Sequence, residues 1–305
     1  MPVRRFAAGL VVCAAVLLPR VAVGQAWPAP AGTGAISFTT QAIDNTGHVM
    51  TDGFLLRDGK SRSVSGLIDV DYAMTDRLSL SVGIPFVYSR FLGPGPSLAN
   101  LPVDACRCWN AAWQDWGATV RYTVLDGPVA VTPSISVGLP SHDYQWEGEA
   151  VAGYGLRELR LALDGGVQLD AISSRLALIS RYQYAAVEDV LDVPNNRSNG
   201  LFVVSYAVST RLAVRAGVAW QRTHGGLRFG SLSGNSPAPP FEAGTPERFR
   251  EHDRLLRNHY AHLTLGASYA LPGADLFVAF QHFTWSRDSH AGKAMTAGVS
   301  VPFQR

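Results

Sequence analysis

From Leu78 the even positions read Leu78, Leu80, Val82, Ile84, Phe86 and Tyr88, and the odd ones Ser79, Ser81, Gly83, Pro85 and Val87. Successive side chains of a strand point to opposite faces, so this rhythm gives one greasy and one small or polar face, which a helix cannot do. It recurs from Val129, where Val131, Ile135, Val137 and Leu139 alternate with Thr132, Ser134, Ser136 and Gly138. It returns from Leu212 (Val214, Ala216, Val218, Trp220) and from Met295 (Ala297, Val299, Val301, Phe303). Each run is about ten residues, the length a tilted strand needs to cross a bilayer.

Extended along the chain, the pattern predicts twelve strands at roughly 34–43, 62–73, 78–88, 114–124, 129–139, 156–169, 175–186, 199–208, 212–221, 259–270, 276–285 and 294–303. The connections alternate in length. Those at 74–77, 125–128, 170–174, 209–211 and 271–275 are short and have tight-turn compositions such as Asp126-Gly127-Pro128. The other six are longer, up to 222–258. On the outward parity Tyr72, Tyr122, Tyr206, Tyr269 and Phe303 fall at the short-turn end, and Phe86, Tyr88, Trp116, Tyr182, Tyr184, Phe202 and Trp220 at the other. A secreted β-sandwich also alternates. Two aromatic girdles and loops of alternating length instead predict an all-β fold, a closed antiparallel transmembrane barrel with short periplasmic turns and long extracellular loops. Closure is obligatory, because unpaired edge groups cost several kcal/mol each in lipid.

The start of the chain supports export. Residues 1–26 carry Arg4 and Arg5, an apolar run over 6–18, and small residues at Gly24 and Ala26, a secretory leader with cleavage expected after Ala26. Cys13 lies inside that run behind Val12, which excludes a lipoprotein site. Residues 27–33 then form an N-terminal periplasmic segment and 34–305 the barrel. No later stretch has 18 uninterrupted apolar residues, so any membrane crossing is by strands. Of the 305 residues only 16% are charged, low for a soluble chain, and 30 are glycine. The formal net charge of +2 falls to −1 once Arg4, Arg5 and Arg20 leave with the leader, and nothing recommends a nucleic-acid partner.

Four segments, 79–90 (SLSVGIPFVYSR), 113–124 (WQDWGATVRYTV), 131–144 (VTPSISVGLPSHDY) and 154–163 (YGLRELRLAL), together resemble the outer-membrane proteins named after the phenol-degradation meta pathway. The likeness spans most of the mature chain, through strand and turn patterns. It departs at Pro140-Ser141-His142, where that family commonly has Pro-Thr-Gly, and at Asp115-Trp116-Gly117. The resemblance implies an outer-membrane barrel linked to uptake of aromatic or other apolar compounds. Phe303 also resembles the aromatic end signal that outer-membrane proteins present to the barrel-assembly machinery, although Gln304 and Arg305 follow it.

Function has to be sought on the inward face. By parity it carries Asp69, Asp71, Asp115, Arg121, Glu158, Arg160, Arg181, Gln183 and Arg215. Two readings suit them, a salt-bridged filling of a narrow barrel and a selectivity constriction with a transverse field. Cys106 and Cys108 sit in the long outer-side connection between the third and fourth strands, in an oxidising compartment, and are expected to form a loop-tip disulfide. The eight histidines match no compact zinc spacing and read as surface residues, so no metal or cofactor is expected. Thr245-Pro246-Glu247 suits the start of a short helix running to Leu256, over or into the pore mouth.

An enzyme is the rival class. Ser198 lies in a suggestive outward context, but the position two before it, where a same-strand histidine base is wanted, is Asn196. A lipid hydrolase is thereby disfavoured. The sequence thus points to passive uptake of small molecules, aromatic or otherwise apolar, with outer-membrane lipid and a small solute as its partners. A structural or surface-binding barrel with a plugged lumen is the alternative.

Overall fold

The computed structural model describes residues 26–57, 60–93, 108–148, 150, 153–230 and 245–304. The first half of the wall is built from β1 (Thr33–Val49), β2 (Leu55–Leu56), β3 (Ser61–Ala73), β4 (Leu78–Phe91), β5 (Asn110–Trp113), β6 (Trp116–Tyr122), β7 (Val129–Leu139) and β8 (Glu158–Gln168). The second half is β9 (Leu176–Val187), β10 (Asn195–Ala207), β11 (Leu212–Gly225), β12 (His259–Leu271), β13 (Ala274–Arg287) and β14 (Ser289–Gln304). Two short helices, α1 (Pro246–Arg250) and α2 (His252–Leu255), precede β12. The short β2 folds back on the outer end of β1, and β5 with β6 makes one crossing, so the wall has twelve strands, as the alternation predicts.

Neighbours in sequence pair antiparallel, and β14 closes on β1 from Thr33↔Gln304 to Val49↔Ser289. This leaves the wall no lipid-facing edge. The outward parity is apolar and uncovered: Leu161, Leu265, Val278 and Met295 are each more than half exposed, at 55%, 61%, 55% and 62%. The opposite parity is knitted by small polar pairs, such as Ser37 to Ser300 at 2.9 Å and Thr119 to Ser136 at 2.9 Å. A chain with this distribution is stable only with lipid outside and a polar interior. Nine of the twelve predicted girdle aromatics are exposed. The other three are half-buried; Tyr72 stacks on Phe303 across β1 at a 6.3 Å centroid separation, and Phe86 packs edge-on against Trp113 at 5.1 Å.

The strands extend beyond the sequence-derived limits at the outer end. The last outer connection is consequently no loop: β13 and β14 run on until only Asp288, at φ +47°, separates them. Asp288 is 1% exposed, and its carboxylate accepts from Thr51 Oγ1 (2.5 Å) and from the Phe229 amide (3.0 Å). It therefore ties the β1–β2 turn and the 226–258 connection to this corner.

Candidate functional site in the barrel lumen

The pairing along β4 is interrupted between β5 and β6. Phe86 pairs with Trp113 and Gly83 with Gly117, so β4 is one residue short of its partner there, a β-bulge opposite Pro85. Proline has no amide hydrogen to offer, and the Gln114 amide donates to the Pro85 carbonyl at 2.8 Å. The extra residue resets the parity and aims Asp115 inward.

Asp115 anchors the outer closure. Its Oδ1 accepts the Tyr144 hydroxyl at 2.5 Å, and that hydroxyl accepts the Gly155 amide at 2.6 Å. The connection between β7 and β8 is thus fastened into the barrel mouth. Gly153 is needed there, because a Cβ at that position would lie 2.5 Å from the Tyr144 oxygen. Burial, reinforced by the Asp115 carboxylate, raises the Tyr144 phenol well above its ordinary range. Burial also pushes Tyr154 up to about 12, against the opposing effect of Arg197.

The helix pair completes the lid. Thr245 caps α1, accepting the Arg248 amide at 3.3 Å, with Pro246 in the first turn, as the sequence implies. The helix breaks at Glu251 instead of continuing to Leu256. On α2, His252, Arg254 and Leu255 are buried. Leu255 packs with Leu156, Val187, Val193 and Leu227, while Arg254 pairs with Glu251 and lies 4.4 Å over the Trp146 ring. The lid is held by apolar packing as much as by charge.

At the other end, residues 26–29 enter the barrel. Thr132 Oγ1 donates to the Ala26 carbonyl at 2.8 Å, and Trp27 Nε1 donates to the Gly127 carbonyl at 2.9 Å. The Trp27 ring lies against Gly166, where a Cβ would come within 2.4 Å of it. This segment occupies the short-turn mouth.

Between the two ends is a cavity of about 540 Å³. Six of the nine sequence candidates line it: Asp69, Asp115, Arg121, Glu158, Arg160 and Gln183. Asp71 faces a smaller space beside Trp27 and accepts from Arg121 at 3.1 Å. Arg181 meets Asp164 at 3.5 Å and Gln183 at 3.3 Å, and Arg215 interacts electrostatically with Asp275. Glu158 bridges Arg160 (2.8 Å) and Arg197, and the Arg197 guanidinium lies 5.4 Å over the Tyr154 ring. Asp69 Oδ2 is buried without a hydrogen-bond partner among the described residues.

Sequence reasoning missed Arg197, Asp164, Tyr144, Tyr154 and Trp27. The first two were findable: Asp164 has inward parity within a predicted strand, and Arg197 continues the inward parity of β10, which starts at Asn195 and not at 199. The other three act through loop folding, for which the sequence carries no period. Several histidines expected on the surface are instead buried, at 8% exposure for His48, 2% for His252 and 9% for His262. His252 Nδ1 meets the Phe249 carbonyl at 2.6 Å, and His262 stacks with Tyr260 at 5.4 Å. Among the described residues no group of three or more His, Cys, Asp or Glu is placed to hold a metal. Cys108 is disulfide-bonded, and Cys106 lies outside the described residues.

The missing serine base also needs correction. His224, from the neighbouring strand β11, puts Nε2 2.8 Å from Ser198 Oγ, and Tyr182 approaches it at 3.1 Å. The histidine comes from the neighbouring strand, where spacing along β10 does not reveal it. Ser198 is nevertheless 6% exposed, and no carboxylate or amide among the described residues bonds to His224. The trio ties β9, β10 and β11 together at the outer girdle, without the orienting group a catalytic triad uses.

No family model matches the chain, and no curated protein matches it. Among solved structures it is similar to the COG4313 outer membrane channel from Pseudomonas putida F1, with a TM-score of 0.68 at 12% identity over 92% of this chain and 98% of that one. The toluene transporter TodX of Pseudomonas putida gives 0.44 at 12% identity over 90% of each chain. The KdgM porin in complex with disordered oligogalacturonate gives 0.45 at 10% identity over 88% and 99%. The last two scores are too low to bear on this chain, and the first establishes a shared fold. A closed antiparallel barrel with an apolar outer belt and two aromatic girdles places the protein in the outer membrane of a Gram-negative-type bacterium.

Proposed function

We propose that the protein is a passive channel for small molecules, admitting an aromatic or other apolar body that carries a polar or charged group. The observation that carries this reading is the composition of the lumen cavity. Acids and arginines (Asp69, Asp115, Arg121, Arg160) share it with Leu67, Pro85 and Tyr154. Opposed charges orient the polar end of a solute while the apolar lining accepts its body, and no bond to the solute is made or broken. In this proposal the nine inward residues are the selectivity lining, with Asp69 one of the acids that face the cavity. The likeness of four segments to the meta-pathway family supports the apolar class of solute.

The reading extends to biogenesis. Residues 1–26 serve as the export leader, and β14, ending near Phe303, is the strand offered to the barrel-assembly machinery, since it forms the closing seam with β1. The test of function is solute entry into liposomes carrying the refolded barrel, comparing a small sugar, an ionised aromatic acid and a neutral aromatic. Entry above empty liposomes, with the aromatics ahead of the sugar, is expected. No entry through a folded barrel refutes the channel and favours a plugged, structural one.

A further inference from the structure

The outer surface of the closing seam carries a second patterned region, which does not depend on what passes through the lumen. Register sets four outward rows across β14, β1, β3 and β4. The outermost is Lys293, Asp44, Arg62 and Arg90. Two rows further in come Ala297, Thr40, Gly66 and Phe86, and below them Val299, Phe38, Ile68 and Ile84. Three cations face one anion in the top row. Arg62 Nε uses Asp44 at 2.9 Å, but Arg90 stands directly opposite Arg62, and like charges in that relation repel. Arg90 packs over the Trp109 ring at 4.6 Å, and its Nε has no hydrogen-bond partner among the described residues.

Beneath this row the small side chains at Thr40 and Gly66 leave a hollow of about 350 Å³, walled by Phe38, Val64, Phe86, Tyr88 and Trp113. It begins about 7 Å below Arg62 and reaches about 20 Å below it at Ile68, at the rise of a β-strand. We infer that this face is a binding site for a phosphorylated, multiply acylated lipid of the outer leaflet, its phosphate between Arg62 and Arg90 and one acyl chain in the hollow. With three cations to one anion the row keeps a net positive charge, which favours an anion at headgroup level. The apolar slot continuing from them down the same strands demands a chain joined to that anion. A free phosphate satisfies only the first condition, and a neutral lipid only the second.

The experiment measures binding to the folded full-length barrel in non-ionic detergent, by quenching of tryptophan fluorescence and by native mass spectrometry. The probes are bisphosphorylated lipid A, the same lipid A stripped of phosphate, and inorganic phosphate. Arg62→Ala with Arg90→Ala should weaken the phosphorylated lipid at least about tenfold, since charge-assisted contacts are lost, and abolish its preference over the stripped one. Gly66→Leu, which fills the hollow, should weaken both lipids. Arg222→Ala, on the exposed outer face of β11, should change neither. An unchanged lipid preference in the double variant overturns the inference. So does an equal loss in Arg222→Ala, which means diffuse charge, or displacement of the lipid by inorganic phosphate with Gly66→Leu silent, which means an anion site alone. If the double variant does not show the heat-modifiable migration of a folded barrel, Arg90→Gln is read by the same criteria.

Discussion

Gly166→Ala tests whether residues 27–29 close the short-turn mouth of the mature chain. The new Cβ would meet the Trp27 ring at 2.4, 2.5 and 2.8 Å, whereas carbon atoms rest about 3.5–4.0 Å apart, so the ring has to move by more than about 1 Å. Leaving its seat breaks the 2.9 Å bond to Gly127, worth about 1 kcal/mol net. Trp27 is half-buried, and uncovering roughly half of its area at about 25 cal/mol per Å² adds about 2–3 kcal/mol. The combined cost of about 3–4 kcal/mol is a shift of roughly a few hundredfold toward the undocked segment. Trp27→Ala removes the ring and should reproduce the effect from the other side of the contact. Planar-bilayer recordings of the reconstituted barrel are the assay: both variants should conduct more than the parent, and to a similar degree. Unchanged conductance in both, with heat-modifiable migration intact, refutes the closure.

Arg121→Ala with Arg215→Ala removes two lumen cations and should shift the reversal potential toward cation selectivity; an unshifted potential in a conducting variant dismisses them as selectivity residues. Tyr144→Phe deletes the bonds to Asp115 and Gly155 and should loosen the lid by about 1–3 kcal/mol, read as faster amide exchange across 140–157. Alkaline pH should act in the same direction. Tyr144 and Tyr154 hold their protons above pH 10 in the closed lid, while an opened lid releases them from about pH 10, so each tyrosine weakens closure by about 1.4 kcal/mol per pH unit from there to its raised value. Conductance should rise above pH 10 and recover on return, and Tyr144→Phe should blunt the rise. The mature protein should fractionate with the outer membrane, and recovery as a soluble periplasmic protein sinks the barrel reading.

The twelve-strand wall was legible because strand alternation is local: Leu78 to Tyr88 shows its two faces without reference to any partner. The inward placement of Asp69, Arg121, Glu158 and Arg160 followed from the same parity. Parity says which face a side chain is on but not which residue of the next strand lies beside it. Arg197 reaching Glu158 and His224 reaching Ser198 were invisible for that reason. The row of Lys293, Asp44, Arg62 and Arg90 joins residues up to 249 apart in sequence, and only register aligns them.

Alternation, turn chemistry and aromatic spacing determined by themselves that this chain is a closed transmembrane barrel with an apolar outside and a charged inside. Those features arise from the two-residue period and from lipid's intolerance of unpaired backbone. Tertiary structure alone decided which described residues stand at the ends of the lumen, Tyr144 and α2 on the outer side and Trp27 on the short-turn side. Loops and a terminal segment follow no period, and their positions are chosen by packing and hydrogen bonds to strands that must already stand in place.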